Sequence, residues 1–241
     1  MKNFVINLDR EPRKFESFLA LNAGSGIAFN RHAACDGAAL SESEIAALKV
    51  AAPGLKFTRG SIGCAASHQA LWREVVALDE PVLIFEDDAA IRDDFNKVLP
   101  ALLASLDSWD YLTFGYNTDS ILDIAIGGGM SSAIAFTPRQ PSPANQRDFV
   151  KSAAAVGVYR LNNCFGTCGY AISPAGARKL LKHCFPMNTR PITIPALKRT
   201  FPAFNFDCIL NDVYGRIEAY ACFPPLVLPK NDVAASTTMR A

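Results

Sequence analysis

The apolar run Val82-Leu83-Ile84-Phe85 passes without a break into Glu86-Asp87-Asp88. A short, uninterrupted apolar run is a strand buried on both faces, the kind found inside an α/β sheet. Three acids at its end lie at the edge of that sheet, where open α/β folds bind ligands. Neighbouring carboxylates repel one another and resist leaving water unless a cation neutralises them. A hard divalent cation held by one or two carboxylates and by substrate phosphates meets that need. The pattern predicts a metal site for a phosphorylated substrate.

The rest of the chain punctuates in the same style. Phe4-Val5-Ile6 reads as a first buried strand, and Pro12 suits the first position of a helix over 13–21. Gly24 and Gly26 break that helix, and 27–29 is expected as a second strand. Ser41 with Glu44 is a capping-box pattern for a helix ending near Lys49. Cys64, His68, Leu71, Val75 and Leu78 fall on one face of a helix over 61–78. Asp94 is expected to cap a helix to about Leu106, and 111–114 to form a strand. Residues 117–155 hold Gly127-Gly128-Gly129 and Pro138, Pro141 and Pro143, with poor periodicity, and predict a long excursion, either a lid or binding loop or a surface insertion. Gly169–Ser173 reads as a strand followed by a helix from Pro174. Residues 186–202 are expected as loop, 206–214 as a short helix, and 218–223 as the last strand. Alternating strands and helices make the class α/β with a mostly parallel or mixed sheet.

The length of 241 residues, half of them hydrophobic, is enough for a sizeable core. Lys and Arg total 24 against 23 Asp and Glu, with no basic tail, which speaks against broad electrostatic binding to nucleic acid. The first ten residues are too short and too charged for a secretory leader, and no apolar run is long enough to span a membrane. Seven cysteines without a CxxC pair predict reduced thiols and a cytoplasmic protein. Cys164 and Cys168 lack the second pair or nearby His that would complete a zinc site.

Several stretches, taken in order, resemble glycosyltransferase family 25, the lipopolysaccharide and lipooligosaccharide biosynthesis transferases, whose relatives include the collagen galactosyltransferases. They are Val5-Ile6-Asn7-Leu8-Asp9-Arg10 with Arg13, Arg31 with Asp36-Gly37, Gly63-Cys64-Ala65-Ala66-Ser67-His68 with Leu71-Trp72, Phe85-Glu86-Asp87-Asp88, and Gly169-Tyr170-Ala171-Ile172-Ser173 with Gly176-Ala177 and Leu180-Leu181. The resemblance implies a single domain over 1–241 of GT-A type, a Rossmann-like mixed sheet flanked by helices. It implies a UDP-sugar donor, with galactose the expected hexose, a saccharide or lipid-linked glycan acceptor, and an inverting reaction. It also implies a divalent metal, Mn2+ before Mg2+, near an Asp-x-Asp type motif whose place Glu86-x-Asp88 occupies. With no membrane segment expected, a lipid-linked acceptor would be met by peripheral docking at the inner membrane.

On this footing Asp88 is the expected metal ligand, with Glu86 as a second ligand or as a holder of water or a ribose hydroxyl. Asp87 stands with them on the donor side. Asn7, Leu8 and Asp9, at the end of the first strand, are expected to read a base or ribose. Arg13 is expected to fork onto a phosphate, with Arg10 and Lys14 as alternatives by position. Asp36 can take a ribose hydroxyl, and Gly37 permits the turn. Ser67 and His68 are expected against the donor, in a steric or hydrogen-bonding role. Asp207, followed three residues on by Leu210, is expected as the base that takes the acceptor proton or as a partner of the metal ligands, with Asp212 its rival. Two other readings fit the same residues: a non-catalytic nucleotide- or saccharide-binding relative, and a metal phosphohydrolase built on Glu86, Asp87 and Asp88.

Overall fold

The computed structural model describes residues 1–230. In chain order the first elements are β1 (Lys2–Asn7), α1 (Pro12–Leu21), β2 (Arg31–Ala33), α2 (Glu42–Leu48), α3 (Arg59–Leu78) and β3 (Val82–Glu86). Next come β4 (Ala89–Ile91), α4 (Phe95–Ala104), β5 (Tyr111–Thr113), β6 (Ile121–Gly127), β7 (Met130–Ala135) and α5 (Pro143–Val150). The last are β8 (Gly157–Asn163), β9 (Gly169–Ile172), α6 (Pro174–Cys184), β10 (Pro191–Ile194), β11 (Arg199–Pro202), α7 (Phe206–Asn211), β12 (Ala219–Phe223) and β13 (Val227–Pro229).

Nine of the strands form one mixed sheet in the order β2-β1-β3-β9-β5-β12-β8-β6-β7, with β10-β11 and β13-β4 as separate pairs. β1 runs parallel to both β2 and β3, whereas β9 runs antiparallel between β3 and β5. Successive residues of β3 serve opposite faces, as the two-residue period of a strand requires. Val82 and Ile84 join the core beneath α3, α6 and α7, with Trp72, Leu180 and Ile209. Leu83 and Phe85 join the core beneath α1 and α4, with Phe18, Phe95 and Leu99. The sheet is thus flanked by helices on both faces, which is the mixed α/β architecture the resemblance implied.

Several local expectations need correction. Residues 27–29 are not a strand. Pairing with β1 begins only at Asn30, whose carbonyl accepts from Val5 N at 2.8 Å. The Asn3 side chain takes the preceding hydrogen bonds, donating to Ala28 O at 2.9 Å and accepting from Asn30 N at 3.1 Å. Asp94 does not cap α4 with its side chain, because the buried Arg92 guanidinium holds that carboxylate at 2.7 and 2.9 Å. The expected loop over 117–155 is instead the β6–β7 hairpin followed by α5. Gly127, Gly128 and Gly129 make its turn at φ of 98°, 60° and 77°, where residues with a Cβ are strained. Leu122 and Ile124 are buried, and Pro143 opens α5 under the Ser142 cap rather than breaking a strand. Residues 186–202 likewise contain the β10–β11 hairpin, in which Ile192 and Ile194 alternate inward against exposed Pro191 and Thr193. β13 follows the strand expected to be last and pairs with β4.

Candidate functional site

β1 and β3 end side by side, with Ile6 opposite Glu86 in the register. The residues beyond both strands therefore open into one cleft, closed on the other side by the first turns of α3 and by the segment after β2. Asn7, Leu8, Asp36, Gly37, Ser67, His68, Glu86 and Asp87 all line it, as eight of the predicted donor-side residues. The cleft measures about 600 Å3 when its open mouth is counted. Asp9, Arg13, Asp88 and Asp207 are not among its lining residues. Asp9 is exposed and ion-pairs with Arg31 at 2.6 Å. Arg13 faces solvent because α1 turns Phe15 and Phe18 toward the core. The cations lining the cleft are Arg10 and Lys14, the alternatives by position.

Backbone packing holds the cleft floor. A Cβ on Gly37 would lie 1.8 Å from Arg59 O, and one on Gly63 would lie 2.5 Å from Gly37 N. Only glycine at both positions lets the segment after β2 touch α3 so closely. Ser67 fastens the same crossing: it donates to Gly63 O at 2.8 Å and accepts from Cys35 N at 2.8 Å. Its hydroxyl is committed to the fold. Asn7 is also committed. It donates to Asp87 Oδ2 at 2.6 Å and Glu11 O at 3.0 Å, and accepts from Arg31 Nε at 2.7 Å. Arg10 forks onto Asp36 at 2.6 and 3.3 Å and holds that carboxyl below the ordinary range.

The strand period sends Glu86 to the α3 side, where it meets His68. His68 is fully buried, and its Nδ1 lies 2.7 Å from Tyr170 Oη. Trp72 Nε1 can only donate, and does so to the same oxygen at 2.8 Å. Tyr170 Oη thus accepts from Trp72 and shares a second hydrogen bond with His68 Nδ1, while His68 Nε2 lies 3.5 Å from Glu86 Oε1. Among the described residues Nε2 has no hydrogen-bond partner. Thr167 donates to Glu86 Oε1 from the other side. Burial pushes the Glu86 carboxyl up, but the His68 ring and the Thr167 hydroxyl together outweigh it and hold the group below its ordinary value.

The neighbouring acids behave differently. Burial, then the charges of Glu86 and Asp87, push Asp88 up to about 7. Its Oδ1 is buried without a hydrogen-bond partner among the described residues, while its carbonyl accepts from Lys230 N at 3.0 Å. Burial also raises Asp87, against the hydrogen bond from Asn7 and the charge of Lys14. Asp207 opens α7, whose first residue, Phe206, is pinned to α3. Phe206 N donates to Ser61 Oγ at 3.2 Å, and its ring lies 5.4 Å from that of His68. Burial, then the charge of Glu86, pushes Asp207 up to about 7. Asp212 is instead engaged by Arg190 at 3.1 Å and Arg216 at 3.2 Å. Cys64 feels three of these acids: burial, then Glu86, Asp207 and Asp88, raise its thiol well above the ordinary value.

Of the acids at the end of β3, Glu86 and Asp87 have hydrogen-bond partners, and Asp88 alone has an oxygen without one among the described residues. An unpartnered buried carboxylate oxygen on Asp88, beside Glu86 and Asp87, suits a hard divalent cation. Cys64 and Tyr170 were legible as parts of motifs but not as neighbours of Glu86. Thr167 carried no signal at all. It arrives because Gly169 pairs with Phe85, which sets residue 167 just beyond the end of β3.

A sequence model described as "Glycosyltransferase family 25 (LPS biosynthesis protein)" matches residues 1–195. Procollagen galactosyltransferase 2 of Homo sapiens is 28% identical over 191 residues, which is 74% of this chain and 27% of the relative. A second Homo sapiens protein, named inactive glycosyltransferase 25 family member 3, is 30% identical over 235 residues, which is 92% of this chain and 33% of the relative. The chain therefore spans about a third or less of the length of these two relatives. One solved structure, a putative glucose-1-phosphate thymidylyltransferase from Bacillus anthracis, overlays with a TM-score of 0.38 and 10% identity, covering 90% of this chain and 65% of that one.

Proposed function

The chain belongs to glycosyltransferase family 25, and from that premise we propose that it moves a hexose, galactose first, from a UDP-sugar to a saccharide hydroxyl with inversion. The observation that carries this reading is the buried, unpartnered Oδ1 of Asp88 among carboxylates that repel it. Asp88 and Glu86 would hold a divalent metal, manganese before magnesium. When bound, that metal supplies a Lewis acid for the charge that builds on the departing diphosphate. Arg10 and Lys14 line the same cleft and add positive charge for the phosphates. Asp36 and the backbone at Leu8 face the cleft where a ribose or base would lie. Asn7 and Ser67 position the site rather than touch the donor.

Asp207 is the proton acceptor. A carboxylate with a value near 7 takes a hydroxyl proton at neutral pH far better than an ordinary one. Asp212, held by two arginines, is unsuited to that task. The acceptor is a saccharide of a surface glycan of the lipopolysaccharide or lipooligosaccharide kind. Among the described residues no helix is long and apolar enough to cross a membrane.

The test is incubation with manganese and labelled UDP-hexoses, with and without EDTA. Chelator-sensitive transfer or donor hydrolysis supports the reading, and absence of both with absence of UDP binding overturns it. A second reading, a nucleotide-binding relative without turnover, is favoured by one fact: the 30%-identical human relative is itself named inactive. Manganese-dependent UDP binding with no turnover across acceptors would select it.

A further inference from the structure

We infer that Cys64, His68 and Glu86 form a second cation site, for a borderline-soft divalent ion of the zinc class, beside the hard-oxygen site proposed for Asp88. Cys64 and His68 stand four residues apart in α3, so they share one helix face, and the end of β3 brings Glu86 opposite them. The sulfur, a ring nitrogen and a carboxylate oxygen all lie within 4.8 Å of one another. His68 Nε2 and Glu86 Oε1 are 3.5 Å apart. Two tetrahedral zinc ligands of those types stand about 3.3 Å apart at ordinary bond lengths. That edge is therefore close to formed, and only the Cys64 side must close in.

The second independent observation is the nitrogen itself. His68 is fully buried, its Nε2 lacks a partner among the described residues, and it is aimed at Glu86. With Nε2 free to ligate, Nδ1 carries the ring proton and donates to Tyr170 Oη at 2.7 Å, the outer hydrogen bond that fixes a liganding imidazole. Cys64 is half-buried and lines the cleft, so an ion can enter from solvent, and solvent or substrate can complete its coordination. A thiolate and an imidazole select zinc over manganese or magnesium.

Glu86 is common to both sites, so zinc at Cys64 and His68 withdraws it from Asp88 and antagonises manganese. This consequence rests on the function proposed above, whereas the site itself does not. The test uses chelator-stripped protein and Co2+ alone as a spectroscopic stand-in for zinc. A thiolate-to-cobalt charge-transfer band in the near ultraviolet is expected, at one ion per chain and displaced by Zn2+. It should vanish in Cys64→Ser and persist in Cys35→Ser. In the unmodified chain, Zn2+ should also slow alkylation of Cys64, read by peptide mass spectrometry. No thiolate band, a band unchanged in Cys64→Ser, or alkylation of Cys64 at the same rate with and without Zn2+ overturns the site.

For the antagonism, one equivalent of Zn2+ should weaken manganese-dependent UDP binding at least about tenfold, and UDP binding by Cys64→Ser should not respond to zinc. Unchanged UDP binding in the zinc-loaded chain overturns the antagonism. A cobalt band with no UDP binding under any condition supports the soft site and overturns only the transferase reading. UDP binding with no cobalt band does the reverse.

Discussion

Asp88 is a buried acid that is unfavourable to the metal-free protein and that would hold the ion in the proposed complex. Its value rises from the ordinary 3.8 to about 7, and Asp207 moves the same way. The sign of the effect on stability follows. Between about 4 and 7 the unfolded chain has released these protons while the folded chain retains them, so stability falls as pH rises through that window and then levels off. The penalty for Asp88 above the window is on the order of 2–4 kcal/mol. Thermal melts of metal-free protein should therefore lose Tm from pH 4 to 7, and Asp88→Asn should flatten much of that slope. A metal-free Tm that climbs steadily across the window, equally in both proteins, contradicts the assignment. Asp207→Asn should keep UDP binding while kcat falls about 10^2- to 10^4-fold. If Asp207 is the proton acceptor, kcat/KM of the unmodified chain should rise with pH through about 7. Full activity in Asp207→Asn would return the proton-acceptor role to another group.

At the scale of elements, the cleft depends on how β2, its following segment and α3 cross. Gly63→Ala puts a methyl against backbone at 2.5 Å, and backbone cannot rotate away as a side chain can. The expected loss is about 1–3 kcal/mol in denaturant melts, with weakened UDP binding because Ser67 and His68 move with α3. A fully stable, fully binding Gly63→Ala would show that the crossing is looser than described. Elements with strong local grammar were legible from the residues alone: β1, α1 behind Pro12, α2 in its capping box, the amphipathic α3, and β3. Those that depend on partners were not. β6 and β7 hold weak patterns and gain their place by pairing at the far edge of the sheet, and β10–β11 looked like loop because prolines bracket a short inward alternation of Ile192 and Ile194. In the cleft, Asn7, Asp36, His68 and Glu86 were visible as motif members. Arg13 was misplaced because a helix turns by about 100° per residue, so its neighbour Lys14 faces inward instead. Thr167 was hidden because only the pairing of β9 with β3 brings it to Glu86.

For the whole molecule, binding and stability are one balance. A cation and nucleotide that bind only the folded chain should stabilise it by about 2.7 kcal/mol when free ligand is a hundredfold above Kd. For a chain of this size that is a Tm rise on the order of 5–10 °C. Manganese and UDP together should exceed the sum of either alone, since an ion held by Asp88 and Glu86 would supply positive charge for the phosphates. The most direct test is calorimetric titration of UDP into the chelator-stripped chain with and without manganese, repeated with Asp88→Asn. UDP binding that requires manganese in the unmodified chain and is lost in Asp88→Asn is the predicted result. Equal UDP affinity with and without the ion, or full manganese-dependent affinity in Asp88→Asn, would contradict it.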